Sequence, residues 1–251
     1  QLYEFAARHQ VPHRRIGKWL LAHEADQAAA LGALRETAQA NGVDDLAPVA
    51  TARARAEEPE LRFAEVLESP STGIIDSHAY MLALLGAAES RGVRVVFNAD
   101  VTRLERRGDH WRLHVINDGG AITLDTTLVV NSAGLWAQSV ARATEGLAQV
   151  PPLYLAKGSY AGVRGKVPFR RLIYPLPEPG GLGVHLTLDM GGGARLGPDV
   201  EWLDHADHAR IEYAVAPDVA ARFAARVRGW WPGVDAARLQ PAYSGVRPRH
   251  T

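Results

Sequence analysis

Leu128-Val-Val-Asn-Ser-Ala-Gly-Leu-Trp-Ala-Gln-Ser-Val-Ala141 is the stretch whose reading decides the fold class. Leu128, Val129 and Val130 form a short apolar run rich in β-branched residues, as in a strand covered on both faces of a parallel sheet. Asn131, Ser132, Ala133 and Gly134 then turn the chain with small side chains, and Trp136 to Ala143 is expected to begin a helix. In an open α/β sheet, ligands sit in the crevice beyond the carboxyl end of such a strand. Small residues let the backbone approach a flat or phosphorylated ligand, and a helix N-terminus presents free N–H groups to it. An ordinary strand–turn–helix corner satisfies the same spacing.

Working upstream, Ile74-Ile75 leads into Asp76-Ser77, either of which can cap an Ala/Leu-rich helix from His78 to Arg91. Gly92 ends that helix, and Val93 to Phe97 reads as a β-branched strand, so that half of a βαβ unit is in place. Asp100 to Glu105, His110 to Asn117 and Ala121 to Thr126 alternate like antiparallel strands, with Asn117-Asp-Gly-Gly120 as a hairpin turn. Closer to the start, Leu2 to His9 reads as a helix ended by Pro12, and Arg15 to Ala22 (Arg-Ile-Gly-Lys-Trp-Leu-Leu-Ala) as a strand. Glu24 to Asn41 reads as a strong helix closed by Asn41-Gly42. A short helix within Thr51 to Arg62 and a strand at Val66 to Ser69 complete this part.

Downstream of Pro151-Pro152 the pattern becomes strand-rich: Tyr154 to Val163, Arg171 to Leu176, Leu182 to Leu188 and Ala194 to Gly197, with a Pro/Gly turn at Pro177-Glu-Pro-Gly-Gly181. Pro217 to Trp231 reads as a helix, and Gln240 to Arg247 as extended. The fold class is therefore α/β, or α+β overall. A Rossmann-like parallel sheet with inserted antiparallel strands is expected to interleave with a mixed-sheet domain. The expected segments are 1–68 and 150–240 for the mixed-sheet domain, and 69–149 and 241–251 for the nucleotide-binding type.

Composition excludes several functions. The 251 residues carry 28 positive and 28 negative side chains, which gives no electrostatic case for nucleic acid or an anionic membrane as main partner. With no cysteine, disulfides, thiolate metal sites and a cysteine nucleophile are excluded. No run has the apolar length of a membrane span and no signal-peptide pattern is present, which suits a cytoplasmic location; peripheral association with an inner membrane stays open. His205 and His208 have a metal-like spacing but stand in an acidic loop without further ligands, so no metal site is expected. The chain opens inside an apparent helix and stops just after Gly245-Val-Arg-Pro248, as the interior of a longer protein would.

The order of segments resembles the FAD-dependent oxidoreductases of the D-amino-acid oxidase type, and within them most resembles the L-2-hydroxyglutarate dehydrogenases and oxidases. The residues that carry the resemblance are Glu68-Ser-Pro-Ser-Thr-Gly-Ile-Ile-Asp-Ser-His78, Val129-Val-Asn-Ser-Ala-Gly-Leu-Trp-Ala137, Ala156-Lys-Gly-Ser-Tyr160, Leu172-Ile-Tyr-Pro-Leu-Pro-Glu-Pro-Gly-Gly-Leu-Gly-Val-His-Leu-Thr187, Gly197-Pro-Asp199 and Gly245-Val-Arg-Pro248. The family's opening Gly-x-Gly-x-x-Gly turn, which holds the FAD pyrophosphate, does not occur in these residues, nor does its closing Gly-rich segment.

The resemblance implies an FAD enzyme that oxidises a small 2-hydroxy acid, L-2-hydroxyglutarate to 2-oxoglutarate, by hydride transfer to the flavin. Such a site needs cations for the carboxylates, a neutral base and backbone close to the ring. His185 is the candidate base, since the matching strand faces the flavin in relatives and a near-neutral pKa suits proton abstraction; a structural, hydrogen-bonded histidine fits the sequence as well. Arg247 can fork onto a substrate carboxylate and, with Pro248, lies in the segment that passes beside the flavin in relatives. Lys157 and Arg171 are candidates for a second carboxylate, and Tyr174 for a hydrogen bond to substrate, although each can equally be a structural side chain. Ser132, Ala133, Gly134 and Trp136 are expected at FAD through backbone and stacking, and Val101 at its adenine end. Two alternatives remain: an amino-acid or glycine oxidase of the same superfamily, and a cofactor-free fragment acting as a binding or structural module. The electron acceptor (oxygen, a quinone or a carrier protein) is not specified by the sequence.

Overall fold

The computed structural model describes residues 1–177 and 183–249. In chain order the helices are α1 (Leu2–Arg8), α2 (Ala28–Ala40), α3 (Thr51–Glu57), α4 (Ser77–Glu89), α5 (Ala137–Arg142) and α6 (Val219–Val227). The strands are β1 (His13–Arg15), β2 (Lys18–Ala22), β3 (Ala47–Pro48), β4 (Glu65–Ser69), β5 (Gly73–Ile75), β6 (Asp100–Arg107), β7 (His110–Asn117), β8 (Gly120–Thr126), β9 (Tyr154–Val163), β10 (Leu172–Pro175), β11 (His185–Leu188), β12 (Ala194–Gly197), β13 (Glu201–Trp202) and β14 (Leu239–Arg249). The chain forms two units. The first comprises Gln1–Leu84, Gly158–Glu201 and Tyr213–Gly245; the second comprises Leu85–Lys157, Trp202–Glu212 and the chain from Val246. The chain thus alternates between units, at 84/85, 157/158 and 245/246 where the sequence places the exchanges at 68/69, 149/150 and 240/241, with one further excursion at 202–212.

The first unit is built on a mixed sheet in the order β13-β9-β12-β11-β10-β2-β4-β3, with β14 also on β9. β2 runs parallel to β10 and antiparallel to β4, and β10 to β12 form an antiparallel meander. Period-2 alternation gives the sheet two unlike faces. Trp19, Leu21, Ile173, Leu186 and Leu196 point to one side, where α6 covers them with Val219, Phe223 and Val227. Those three recur at intervals of four residues, which puts them on one side of a helix. Leu20, Ala22 and Leu67 point to the other side, and α2 covers this end of it with Leu31. The expected start of α4 is met by Asp76, whose Oδ1 accepts from the backbone N–H of Ala79 at 3.0 Å.

On the Trp19 face a group of charges is folded inward. The Arg171 guanidinium lies 4.0 Å over the Trp19 ring centre and donates to Glu58 at 2.8 Å, Glu57 at 2.6 Å and Glu68 at 3.4 Å. Glu58 is fully buried and also accepts from the backbone N–H of Arg170 at 3.2 Å. Arg53 closes the group from α3 with bonds to Glu57 at 2.6 Å and Glu68 at 2.9 Å. Burial pushes the Glu58 carboxyl up, whereas bonding to Arg53, above all, holds Glu57 and Glu68 below the ordinary carboxylate value.

The second unit contains the expected three-stranded antiparallel meander, β6-β7-β8, with Asn117 opposite Gly120 at the hairpin turn. α5 packs beside it, the backbone of Leu104 bonding to Ala143 and Glu145. The two strands expected to flank this meander do not form. Neither Val93–Phe97 nor Leu128–Val130 is a strand, and Val96, Phe97, Leu128 and Val130 are 65%, 73%, 73% and 76% exposed. A strand is stable only when a neighbour completes its ladder. Neither run has such a neighbour among the described residues, so these two strand readings are corrected to β-prone segments without a ladder on either side of an antiparallel meander. α4 likewise has no buried residue and exposes Met81, Leu82 and Leu84. Among the described residues no helix is long and apolar enough to cross a membrane.

The buried charge group has a measurable consequence. Arg171→Met strands Glu58 without its cation and is expected to cost about 3–5 kcal/mol in urea unfolding near neutral pH. Glu57 and Glu68, with lowered folded values, stabilise above the unfolded carboxylate value and lose that contribution as pH falls. Ionised Glu58, with a raised folded value, opposes folding as pH rises, more so without Arg171. Both signs make the deficit larger at about pH 7 than at about pH 4. A loss equal at the two pH values, or none, contradicts this arrangement.

Candidate functional site

The face of the first unit's sheet that α6 leaves uncovered is polar beyond the reach of α2. Its residues follow from pleat and register. Ile173 pairs with Leu186 in the antiparallel β10–β11 ladder, so the next residues, Tyr174 and His185, are cross-strand neighbours on the opposite face. Their rings stack with centroids 3.8 Å apart and planes 16° from parallel. In the parallel β2–β10 ladder Leu172 pairs with Lys18 and Tyr174 with Leu20. The Lys18 side chain runs along that face and holds its ammonium 5.2 Å from the Tyr174 ring centre, a cation–π contact. Lys18, Tyr174 and His185 thus form a row across three adjacent strands.

The row is partly withdrawn from water. His185 is only 6% exposed, and Lys18 and Tyr174 are half-buried. Burial lowers the Lys18 ammonium and raises the Tyr174 phenol, each toward its neutral form. On the far side of His185 the backbone comes close. Gly197, opposite His185 in the β11–β12 ladder, has φ +134, and a Cβ there would lie 2.7 Å from the Ser159 carbonyl oxygen and 2.8 Å from Tyr160 Cδ1. Only glycine fits that approach. A second aromatic pair follows along the sheet: Tyr160 and Tyr243 stack at 4.7 Å, with Arg195 5.5 Å from the Tyr243 centre and 3.5 Å from Asp189.

The structure brings together His185 and Tyr174 from the sequence candidates and does not bring Arg171 to them. Arg171 is the neighbour of Leu172 and points with Ile173 to the Trp19 face, where three carboxylates occupy its guanidinium. Its expected role at a substrate carboxylate gives way to a structural one. Lys18, by contrast, has no special mark in the sequence. Its signal is its place in Lys-Trp-Leu-Leu-Ala, where alternation turns it away from Trp19, but its neighbour β10 is remote in sequence and cannot be read locally.

The remaining candidates lie in the second unit. Lys157 is buried on β9, Arg247 is half-buried on β14, and Pro248 is exposed. Val101 pairs with Val115 just before a register shift in β6. Ser132, Ala133 and Gly134 form a turn in which the Asn131 side chain accepts from Ala133 N–H at 3.2 Å and donates to the Ala137 carbonyl at 2.8 Å. Gly134 has φ +56, and a Cβ there would meet nothing within 4 Å. The N–H groups of Val130 and Ser132 have no backbone partner among the described residues. This open, small-residue corner with free donors fits the edge of a flat, phosphorylated group such as FAD. Trp136 presents one ring face to His208, stacked at 4.8 Å, and His208 Nε2 bonds to the Leu135 carbonyl. Among the described residues no group of histidine and carboxylate side chains could hold a metal ion.

Comparison with known proteins places this geometry. The family model described as FAD dependent oxidoreductase (DAO) matches residues 1–251. The mitochondrial L-2-hydroxyglutarate dehydrogenase of Arabidopsis thaliana is 31% identical over 284 residues, covering 99% of this chain and 59% of that protein. Among solved structures, the chain superposes with TM-score 0.81 on L-α-glycerophosphate oxidase from Mycoplasma pneumoniae with FAD bound, at 17% identity over 96% of this chain and 63% of that one. It superposes with TM-score 0.73 on glycine oxidase from Geobacillus kaustophilus, at 19% identity over 99% and 63%. The chain therefore spans about three fifths of the length of these relatives, and it belongs to the DAO family of FAD-dependent oxidoreductases.

Proposed function

We propose that this chain serves the oxidation of a small 2-hydroxy acid, L-2-hydroxyglutarate to 2-oxoglutarate, with the first unit presenting the substrate-binding face and the second holding FAD. The observation that carries the reading is the buried His185 imidazole, stacked on Tyr174 in a polar row of the sheet. Likeness to L-2-hydroxyglutarate dehydrogenases, among them the plant protein at 31% identity, supports it. FAD, when bound, supplies the two-electron acceptor for the hydride that leaves Cα. The protein has two tasks: to remove the hydroxyl proton and to hold the carboxylates. His185 takes the proton, its ring held against the face of Tyr174. Arg247 offers the bidentate fork that a carboxylate matches. Ser132, Ala133, Gly134 and Trp136 hold FAD through backbone and ring contact, with Val101 and Pro248 at its flanks. Tyr174 offers its phenol as a hydrogen-bond donor to the substrate, and Lys157 is a further candidate cation for a carboxylate.

A second reading within the same family, an amino-acid oxidase, is favoured by the superposition on glycine oxidase. A substrate panel with the FAD-loaded chain separates the two. L-2-hydroxyglutarate should bleach the flavin band under anaerobic conditions, and glycine or sarcosine should not; the reverse result selects the oxidase, and a chain that takes up no FAD is left as a binding or structural module.

Two variants test the residue roles. His185→Ala should slow flavin reduction by about 10²–10⁴-fold while retaining FAD; unchanged reduction kinetics would remove His185 from the chemistry. Gly134→Val must strain a left-handed backbone position and fill the open side of the turn, so it should release FAD on gel filtration. Full retention of the yellow colour would show that the corner does not touch the cofactor.

A further inference from the structure

Lys18 is half-buried and has no acidic partner among the described residues. Glu68, on the neighbouring strand β4, bonds with Glu57 and Glu58 to Arg171 and Arg53 around the ring of Trp19. Trp19 follows Lys18 in β2, so the sheet itself stands between those carboxylates and the ammonium. What holds the ammonium in place is the face of Tyr174. A cation taken partly out of water without an anion is unfavourable, and burial duly lowers its proton affinity. A ligand that brings a carboxylate to this point reverses both effects.

The distance to the candidate base defines the size of that ligand. The imidazole centre lies 3.8 Å from the Tyr174 ring centre and the ammonium 5.2 Å from it, which puts ammonium and imidazole within about 9 Å of each other. A five-carbon diacid, bent at its methylene carbons and bonded at each end at about 2.8 Å, fits that span with its 2-hydroxyl at His185 and its far carboxylate at Lys18. A monocarboxylic acid of equal length would lay a methyl group against the ammonium and leave it unpaired.

We propose that Lys18 binds the distal carboxylate of the substrate and thereby selects dicarboxylic over monocarboxylic 2-hydroxy acids, an inference that rests on the 2-hydroxy-acid reading above. The test is calorimetric binding of glutarate and of pentanoate to the FAD-loaded full chain, as wild type, Lys18→Met and Lys18→Arg. Wild type should prefer glutarate. Lys18→Met, which keeps the length of the side chain without its charge, should bind glutarate about 10–100-fold more weakly and pentanoate nearly as before. Lys18→Arg, which keeps the charge, should still prefer glutarate. The KM for L-2-hydroxyglutarate should rise in Lys18→Met by a similar factor. Equal weakening of both acids, no weakening, or a wild type indifferent between them overturns the assignment. If Lys18 governs glutarate binding but hydroxyglutarate does not reduce the flavin of the wild type, the reaction reading fails and the subsite stands. If reduction proceeds with an unchanged KM in Lys18→Met, the subsite fails and the reaction reading stands.

Discussion

Successive side chains of a strand point to opposite faces of its sheet, and in β2 that rule sorts the charges of the first unit. Trp19 turns toward α6 and carries Arg171 on its ring, with Glu57, Glu58 and Glu68 gathered around the guanidinium. Lys18 turns the other way and finds an aromatic ring in place of an acid. The result is one face whose ionic groups are paired with one another and another that keeps a cation, a phenol and an imidazole in a row. The first suits stability and the second suits a ligand.

The difference matters because arginine is the side chain most readily assigned to a carboxylate substrate. Arg171 has the geometry for that role, but each of its three guanidinium nitrogens donates to a carboxylate of its own chain, one of which, Glu58, is fully buried. Recruiting it to a substrate would leave Glu58 charged in a dry site, a cost that no single carboxylate–guanidinium pair at a ligand offsets. Lys18 breaks nothing when it meets an anion, which makes it the less conspicuous and more available cation.

Elements held by local pattern were legible in the sequence: α2 and α4 from their apolar spacing and end signals, the β6–β8 meander from alternation and its Asn-Asp-Gly-Gly turn, and β9 and β12 from their flanking Pro and Gly residues. Val93–Phe97 and Leu128–Val130 read as strands in the sequence and form none, because β propensity describes what a segment can do beside a neighbour, and the described residues supply none. For the same reason the candidate site was only half readable. His185 and Tyr174 stood out singly, through the family resemblance, but their stacking depends on the β10–β11 register. Lys18 and the true partners of Arg171 depend on pairings between strands remote in sequence. Residues 178–182, which hold the start of the expected Leu182–Leu188 strand and most of the expected Pro177–Gly181 turn, lie outside the described residues.

The account rests on the two faces of the first unit's sheet having different work to do. A crystal structure of the FAD-loaded chain with glutarate tests this most directly. One carboxylate of glutarate is expected at the Lys18 ammonium, with its carbon chain directed along Tyr174 toward His185 and the Arg171 group undisturbed. Glutarate bound at Arg171 on the Trp19 face, or bound elsewhere with the Lys18 row empty, would contradict it.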